Sequence, residues 1–317
     1  MIDFRYHLVS IVSIFLALAV GIVLGAGPLQ SGIGSTLGEQ VAALRAEKED
    51  LRKSLDGSQK LVVAEQEYAA AVTPRVVAGQ LTGRTVALVV LPSTERDIVA
   101  TTRNAIEASG ARVTDALTVT EDWFDPTLAS ERAKAAQDAA TALGLESYAT
   151  GDGLLREVFA KLTVSKQPAT ASASRTAALG ILADADLVDG SVAELAPAQL
   201  AVVVSGDFSG SEQTVRDRAI AVRRLVQSLE ASSDTTVVAG GVPVKAAGQP
   251  ASSDAIAAVR QDSDASEKIS TIDHAREGMG PAVVVLALVA QLADQVGHYG
   301  ISEGATAVMP PLTPVGP

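Results

Sequence analysis

The chain has 317 residues, 47% hydrophobic and 20% charged, and no cysteine; it can bury at least one sizeable core, while disulfides, thiolate metal sites and cysteine nucleophiles are excluded. Its 25 Lys and Arg against 37 Asp and Glu give a formal net charge of -12 at pH 7. That balance repels phosphate backbones, and no basic cluster interleaved with aromatics offsets it, which argues against nucleic acid as a partner.

The first element is the apolar run in "HLVSIVSIFLALAVGIVLGAG". Residues 8–27 carry no charge, and the next charge is Glu39. At ~1.5 Å per residue such a helix covers the ~30 Å hydrocarbon core of a bilayer. A cleaved signal peptide has a shorter apolar core, a basic start and small residues before the cut. Here Arg5 is offset by Asp3, Leu24 occupies a position that needs a small residue, and Pro28 blocks cleavage after Gly27. The expectation is a retained transmembrane helix over 8–27. Arg5 and the terminal amine before it, with acidic residues dominating after it, place residues 1–7 in the cytoplasm and the rest outside. Ser13, Ala17, Gly21 and Gly25 recur every four residues, and "GIVLG" is a GxxxG, the pattern of a face on which helix backbones approach closely.

Residues 28–35 lie in "GPLQSGIGSTLG" and read as a flexible linker. A helical coiled-coil stalk is expected over 36–82, because Leu37, Val41, Leu44, Lys48, Leu51 and Leu55 alternate steps of four and three, with outward charges between them. Asp56-Gly57-Ser58 is expected to interrupt it before a further helical stretch up to Ala71. With the small-residue face of the span, the stripe suggests a homo-oligomer. The alternative is an amphipathic helix packed on its own domain.

From residue 83 the period changes. "TVALVVL" is a continuous β-branched run, the mark of a strand buried on both faces. A helix over 95–108 and the strand-like "GARVTDALTV" complete a βαβ unit. The grammar returns in "LAVVVSG", the helix "SEQTVRDRAIAVRRLVQSLEA", "TTVVAGG" and "KISTID". An open, mostly parallel α/β sheet over 83–305 is expected, with helices on both faces and a helical insertion from Trp123 to about Thr176. "GPAVVVLALVAQLADQ" is too short to span a membrane and reads as a buried core helix. The Pro-rich residues 306–317 read as an extended tail.

No motif carries catalysis. Ser205 with Asp273 and His274 or His298 has the residue types of a hydrolytic triad, yet the G-x-S-x-G turn is absent. "GIGSTLG" follows an apolar helix rather than a strand, so it is not a dinucleotide loop. Asp184, Asp186 and Asp189 lack calcium-loop spacing. Soft ligands are confined to Met1, Met279, Met309, His7, His274 and His298. Of these only His274 and Met279, in "DHAREGM", fall close enough to be a metal candidate.

The opening "MIDFRYHLVSIVSIFLALAVGIVLG", the stalk "EQVAALRAEKEDLR", the strand "TVALVVLP" and the block "STIDHAREGMGPAVVVLALVAQLADQVGHYG" together resemble the actinobacterial MctB-type copper transport protein family, from Met1 to about Ala305. The resemblance implies a cell-envelope protein of copper efflux and homeostasis, described for the family as pore-forming in the mycobacterial outer membrane. It implies no enzyme activity, no tightly bound cofactor, and copper as the transported ion. A β-barrel is not legible, since the strands are continuous apolar runs and aromatics are 3% of the chain. Two further readings stand beside it: an anchored scaffold that binds other envelope proteins and affects copper indirectly, and an α/β hydrolase-like enzyme.

Overall fold

The computed structural model describes residues 4–26, 28–114, 116–167, 169–190, 196–242 and 254–311. The chain divides into two units, Met1–Ala64 and Glu65–Pro317.

The first unit is helical. Helix α1 (Phe4–Ala26) has no acidic residue in its first turn and no basic residue in its last. Among the described residues it contains the one helix, over Phe4–Gly25, long and apolar enough to cross a membrane. Gly27, the last residue of the expected span, lies outside the described residues. Helix α2 (Pro28–Val77) begins where a flexible linker was expected, and it also runs unbroken through Asp56-Gly57-Ser58. Both expectations are corrected. Pro28 stands at a first-turn position where a missing N–H costs nothing, and an isolated glycine costs only ~1 kcal/mol in a helix. The residues of α2 from Glu65 onward belong to the second unit, where Ala69, Thr73 and Val77 are buried. The stalk expected to end at 82 therefore gives way to the body at residue 65.

The second unit is a three-layer α/β sandwich. Strand β1 (Thr85–Val90) is followed by α3 (Arg96–Ala108) and by two short strands, β2 (Arg112–Val113) and β3 (Leu117–Val119). The insertion supplies α4 (Ala129–Leu143), α5 (Asp152–Thr163) and α6 (Ala173–Asp184), and runs on into β4 (Val188–Asp189). Then come β5 (Leu200–Ser205), α7 (Glu212–Ser232), β6 (Thr235–Gly240), α8 (Ala255–Arg260), α9 (Ser263–Ser266), β7 (Ser270–Ile272), α10 (Gly280–Leu292) and β8 (His298–Tyr299). The sheet order is β4-β3-β1-β5-β6-β7-β8, with β2 also on β1. All pairs are parallel except β3 with β4.

The β-branched runs form central strands because both their faces are covered. In β1 and the residue after it, Ala87, Val89 and Leu91 point into a core shared with α4 to α9, whereas Val86, Leu88 and Val90 join a second core with α3, α10 and the end of α2. This period of two in an unbroken apolar run is what a parallel sheet between two helical layers requires. Helix α10 is buried over nearly its whole length, which explains its apolarity without a membrane. The tail is not wholly detached: Gly300 donates to the Ala307 carbonyl at 2.8 Å, Thr306 N–H donates to His298 at 2.7 Å, and Pro310 is buried. Residues 312–317 of the expected tail lie outside the described residues.

Gly300 marks a close approach. Its φ is +135°, and a Cβ there would lie 1.9 Å from Asp273 Oδ1. Gly300→Ala is expected to lower stability by about 2–3 kcal/mol, since the backbone is strained for an L residue and the neighbour is a buried carboxylate. Denaturant unfolding followed by the fluorescence of Trp123, the single tryptophan and a buried one, checks this.

Candidate functional site

In an open parallel sheet, ligands usually bind beyond the carboxyl ends of the strands where the winding reverses. Here that point lies between β1 and β5, and the two following loops close it. Thr94 Oγ1 donates to the carbonyls of Leu91 at 2.7 Å and Val204 at 3.1 Å. A Cβ on Gly206 would lie 2.3 Å from the Ser93 carbonyl oxygen. Ser93 itself has φ +63°, and Ser205 is buried with its hydroxyl donating to Gly206 at 2.9 Å.

The polar structure is concentrated instead at the ends of β7 and β8. Asp273, just past β7, is fully buried, and its Oδ2 accepts from Arg260 Nη1 at 2.9 Å. Arg260, the last residue of α8, also donates through Nε to Thr271 Oγ1 at 2.8 Å, through Nη2 to the Tyr299 carbonyl at 3.0 Å, and through Nη1 to the Glu303 carbonyl at 3.1 Å. Backbone N–H groups of Ile301 and Ser302 donate to Asp273 at 2.9 and 3.0 Å. Burial alone raises an aspartate; His274, these two N–H groups and Arg260 outweigh it and hold the Asp273 carboxyl well below its ordinary range. Burial, helped by Arg260, lowers the pKa of His298, whose Nδ1 lies 3.0 Å from Thr271 Oγ1. Burial likewise raises the carboxyls of Asp254 and Glu277.

Two concave surfaces adjoin this framework. A cavity of 430 Å³ is lined by Asp254, Arg260, Ile301 and Glu303, among others. Another of 580 Å³ lies between Thr73 and Pro74 of α2, Asp97 and Thr101 of α3, and Arg276. Arg276 pairs with Glu95 at 2.7 Å and with Asp97 at 3.4 Å, so both surfaces carry satisfied charges.

The expected site residues are distributed as follows. Ser205 lies on β5 and Asp273 after β7, with β6 between them, about 9–10 Å of sheet. Asp273 is committed to Arg260 and His298 to Thr271, so no nucleophile–base pair is assembled. His274 Nδ1 is buried without a hydrogen-bond partner, 3.8 Å from Asp273 Oδ1. Met279 caps α10 and its sulfur accepts from Thr73 Oγ1 at 3.8 Å. Among the described residues no three His, Asp or Glu side chains are grouped to hold a metal ion. Asp184, Asp186 and Asp189 are spread over the end of α6, a turn and β4.

On α1 the positions beside Gly21 and Gly25 are open, with nothing within 4 Å of a Cβ, and Ser13 returns its hydroxyl to the Val9 carbonyl at 2.8 Å. On α2, Leu37, Val41, Leu44, Leu51 and Leu55 are exposed to between 39% and 64%, a continuous uncovered stripe. Arg260 was missed in the sequence because it lies in a six-residue helix; an arginine closing the apolar "AIAAVR" was the available signal.

Residues 1–310 match the family model described as "Copper transport outer membrane protein, MctB". Relatives of similar length bear the name copper transporter MctB. Those of Mycobacterium tuberculosis and Mycobacterium bovis are 27% identical over 97% of this chain and 99% of their own. The one of Mycobacterium leprae is 27% identical over 98% of this chain and 100% of its own. With the match running through the apolar helix, the long helix and the whole α/β body, the chain belongs to the MctB family.

Proposed function

We propose that the chain works in copper export at the cell envelope, without catalysis, anchored by α1 as a single membrane span. Its first residues then face the cytoplasm and the α/β body lies outside. The observation that carries this reading is the family match over residues 1–310, supported by likeness to copper transporters over nearly their full lengths. Copper is cargo rather than a resident cofactor. An acidic exterior raises the local concentration of a cation, and passage favours weak sites over a tight cage.

A second reading, an anchored scaffold for other envelope proteins, is favoured by one observation: the apolar stripe from Leu37 to Leu55 of α2 is exposed, a surface open to a protein partner. The two part on the role of the span. In a deletion strain, the full chain is compared with a version whose residues 8–27 are replaced by an unrelated single-span anchor, and cell copper is measured. If copper passes along α1 itself, only the native span restores low copper. Restoration by the foreign span supports the scaffold.

A further inference from the structure

The stripe on α2 has the composition and flanking charge of one specific assembly. Leu37, Val41, Leu44, Lys48, Leu51, Leu55 and, after Ser58, Val62 occupy alternating d and a positions over residues 37–62. Each of the apolar ones is exposed, with Val62 at 50% and Leu51 at 64%. The repeat of 3.5 is the period of a left-handed supercoil, not of a helix lying against its own domain. Position a holds Val41, Lys48, Leu55 and Val62 and position d holds Leu37, Leu44, Leu51 and Ser58; valine at a with leucine at d, the pairing at Val41 and Leu44, favours two strands, and a single polar residue at a, here Lys48, pins register and copy number.

The neighbouring charges choose the direction. Positions e hold Arg45 and Arg52, and position g of the same heptad as Arg45 holds Glu47. In a parallel, in-register pair, Glu47 of each copy faces Arg52 of the other, and the symmetry makes that contact twice. In an antiparallel pair the e positions flank one another, so the arginines meet arginines. The other charges lie away from the stripe: Glu49 pairs with Lys53 at 3.2 Å and Asp56 with Lys60 at 2.8 Å, these four at b and f positions, while Glu39 falls at f and Asp50 at c. Antiparallel pairing would also set the Leu37 end of one copy beside the Leu55 end of the other, about 27 Å along the helix, although both apolar helices lie just before residue 37.

We infer that α2 is the interface of a parallel, two-stranded homodimer, in register at Lys48 and selected by reciprocal Glu47–Arg52 contacts. This inference does not depend on the copper reading, and its tests do not measure copper.

The native chain lacks cysteine, so single cysteines report geometry directly. In the full chain in detergent, Leu44→Cys, at a d position, is expected to form a self-disulfide of twice the chain mass under mild oxidation. Ala46→Cys, on the opposite face at f, is expected to stay uncrosslinked. Glu47→Arg is expected to weaken dimerisation about tenfold by sedimentation, and adding Arg52→Glu to restore it. Leu44→Asp with Leu51→Asp is expected to give monomers while α1 is intact. Trp123 fluorescence is expected to be unchanged in every variant, which checks that the body stays folded. A dimer that survives the double aspartate variant, a trimeric mass, equal crosslinking at 44 and 46, or failure of the charge swap to restore pairing overturns the inference.

Discussion

Arg260→Met is expected to destabilise the body by about 3–5 kcal/mol, the usual consequence of removing one partner of a buried ion pair. Its side chain is 4% exposed and that of Asp273 is 0% exposed, so the carboxylate left behind has no water to replace the guanidinium. The loss also removes one donor each from the carbonyls of Tyr299 and Glu303 and from the Thr271 hydroxyl, and these groups tie α8, β7, β8 and the segment after it together. The double variant Arg260→Met with Asp273→Asn is expected to recover part of that loss, because no unpaired charge is then buried. Urea unfolding followed by Trp123 checks both, and a loss below 1 kcal/mol for Arg260→Met would show that the pair does not hold this edge.

Glu230→Gln is expected to stabilise the protein, and only above acid pH. Burial pushes the Glu230 carboxyl up to about 7 from 4.5, against the pull of the Thr236 N–H, Lys166 and Gln291. A folded value above the unfolded one means that the acid's stabilising contribution is complete below pH 4.5 and is lost as pH rises through 7. The full difference corresponds to about 3 kcal/mol. Glutamine keeps an acceptor for Thr236 N–H and a neutral body beside Gln291, whose own amide donates to the Lys268 carbonyl at 2.7 Å. The variant and the native chain are therefore expected to have similar stability at pH 4, to diverge between pH 4.5 and 7, and to stay apart at pH 8. Parallel pH curves for the two proteins would place the titration elsewhere.

The parts of this fold that were legible are those in which local pattern and tertiary position agree. The runs of Thr85, Leu200 and Thr235 are β-branched and apolar on both faces, and each became a central strand between two helical layers. Helix α10 was legible because Pro281 opens it and a uniformly apolar run of its length fits only a core. The short edge elements were not. β4, β8 and α8 have two to six residues, and long-range partners decide them: Thr118 opposite Asp189, Thr271 opposite His298, and Arg260 on Asp273. The linker at 28–35 was misread for a different reason. Its glycines suggest a turn, but the proline stands at a position that starts a helix, and helical neighbours on the far side carry the glycines along.

The site was less legible than the fold. Asp273 and His274 were singled out as reactive types, yet the structure gives Asp273 an arginine from a segment without a strong pattern, turning a triad candidate into a strut. His274 and Met279, five residues apart, sit at the two ends of a turn whose close packing comes from Gly280, where a Cβ would lie 1.7 Å from the His274 carbonyl oxygen. The exposed stripe from Leu37 to Leu55 was readable because a heptad is a local pattern, whereas its continuation through Ser58 to Val62 was hidden by the interruption expected at Asp56-Gly57-Ser58.

The measurement that bears most directly on the proposed role is the copper content of cells lacking this chain, grown in copper and compared with the parent and with the same cells carrying the full chain. The account expects copper to rise on deletion and to return to the parental level on complementation. Unchanged copper in the deletion strain, with the protein normally present in the parent envelope, would contradict it.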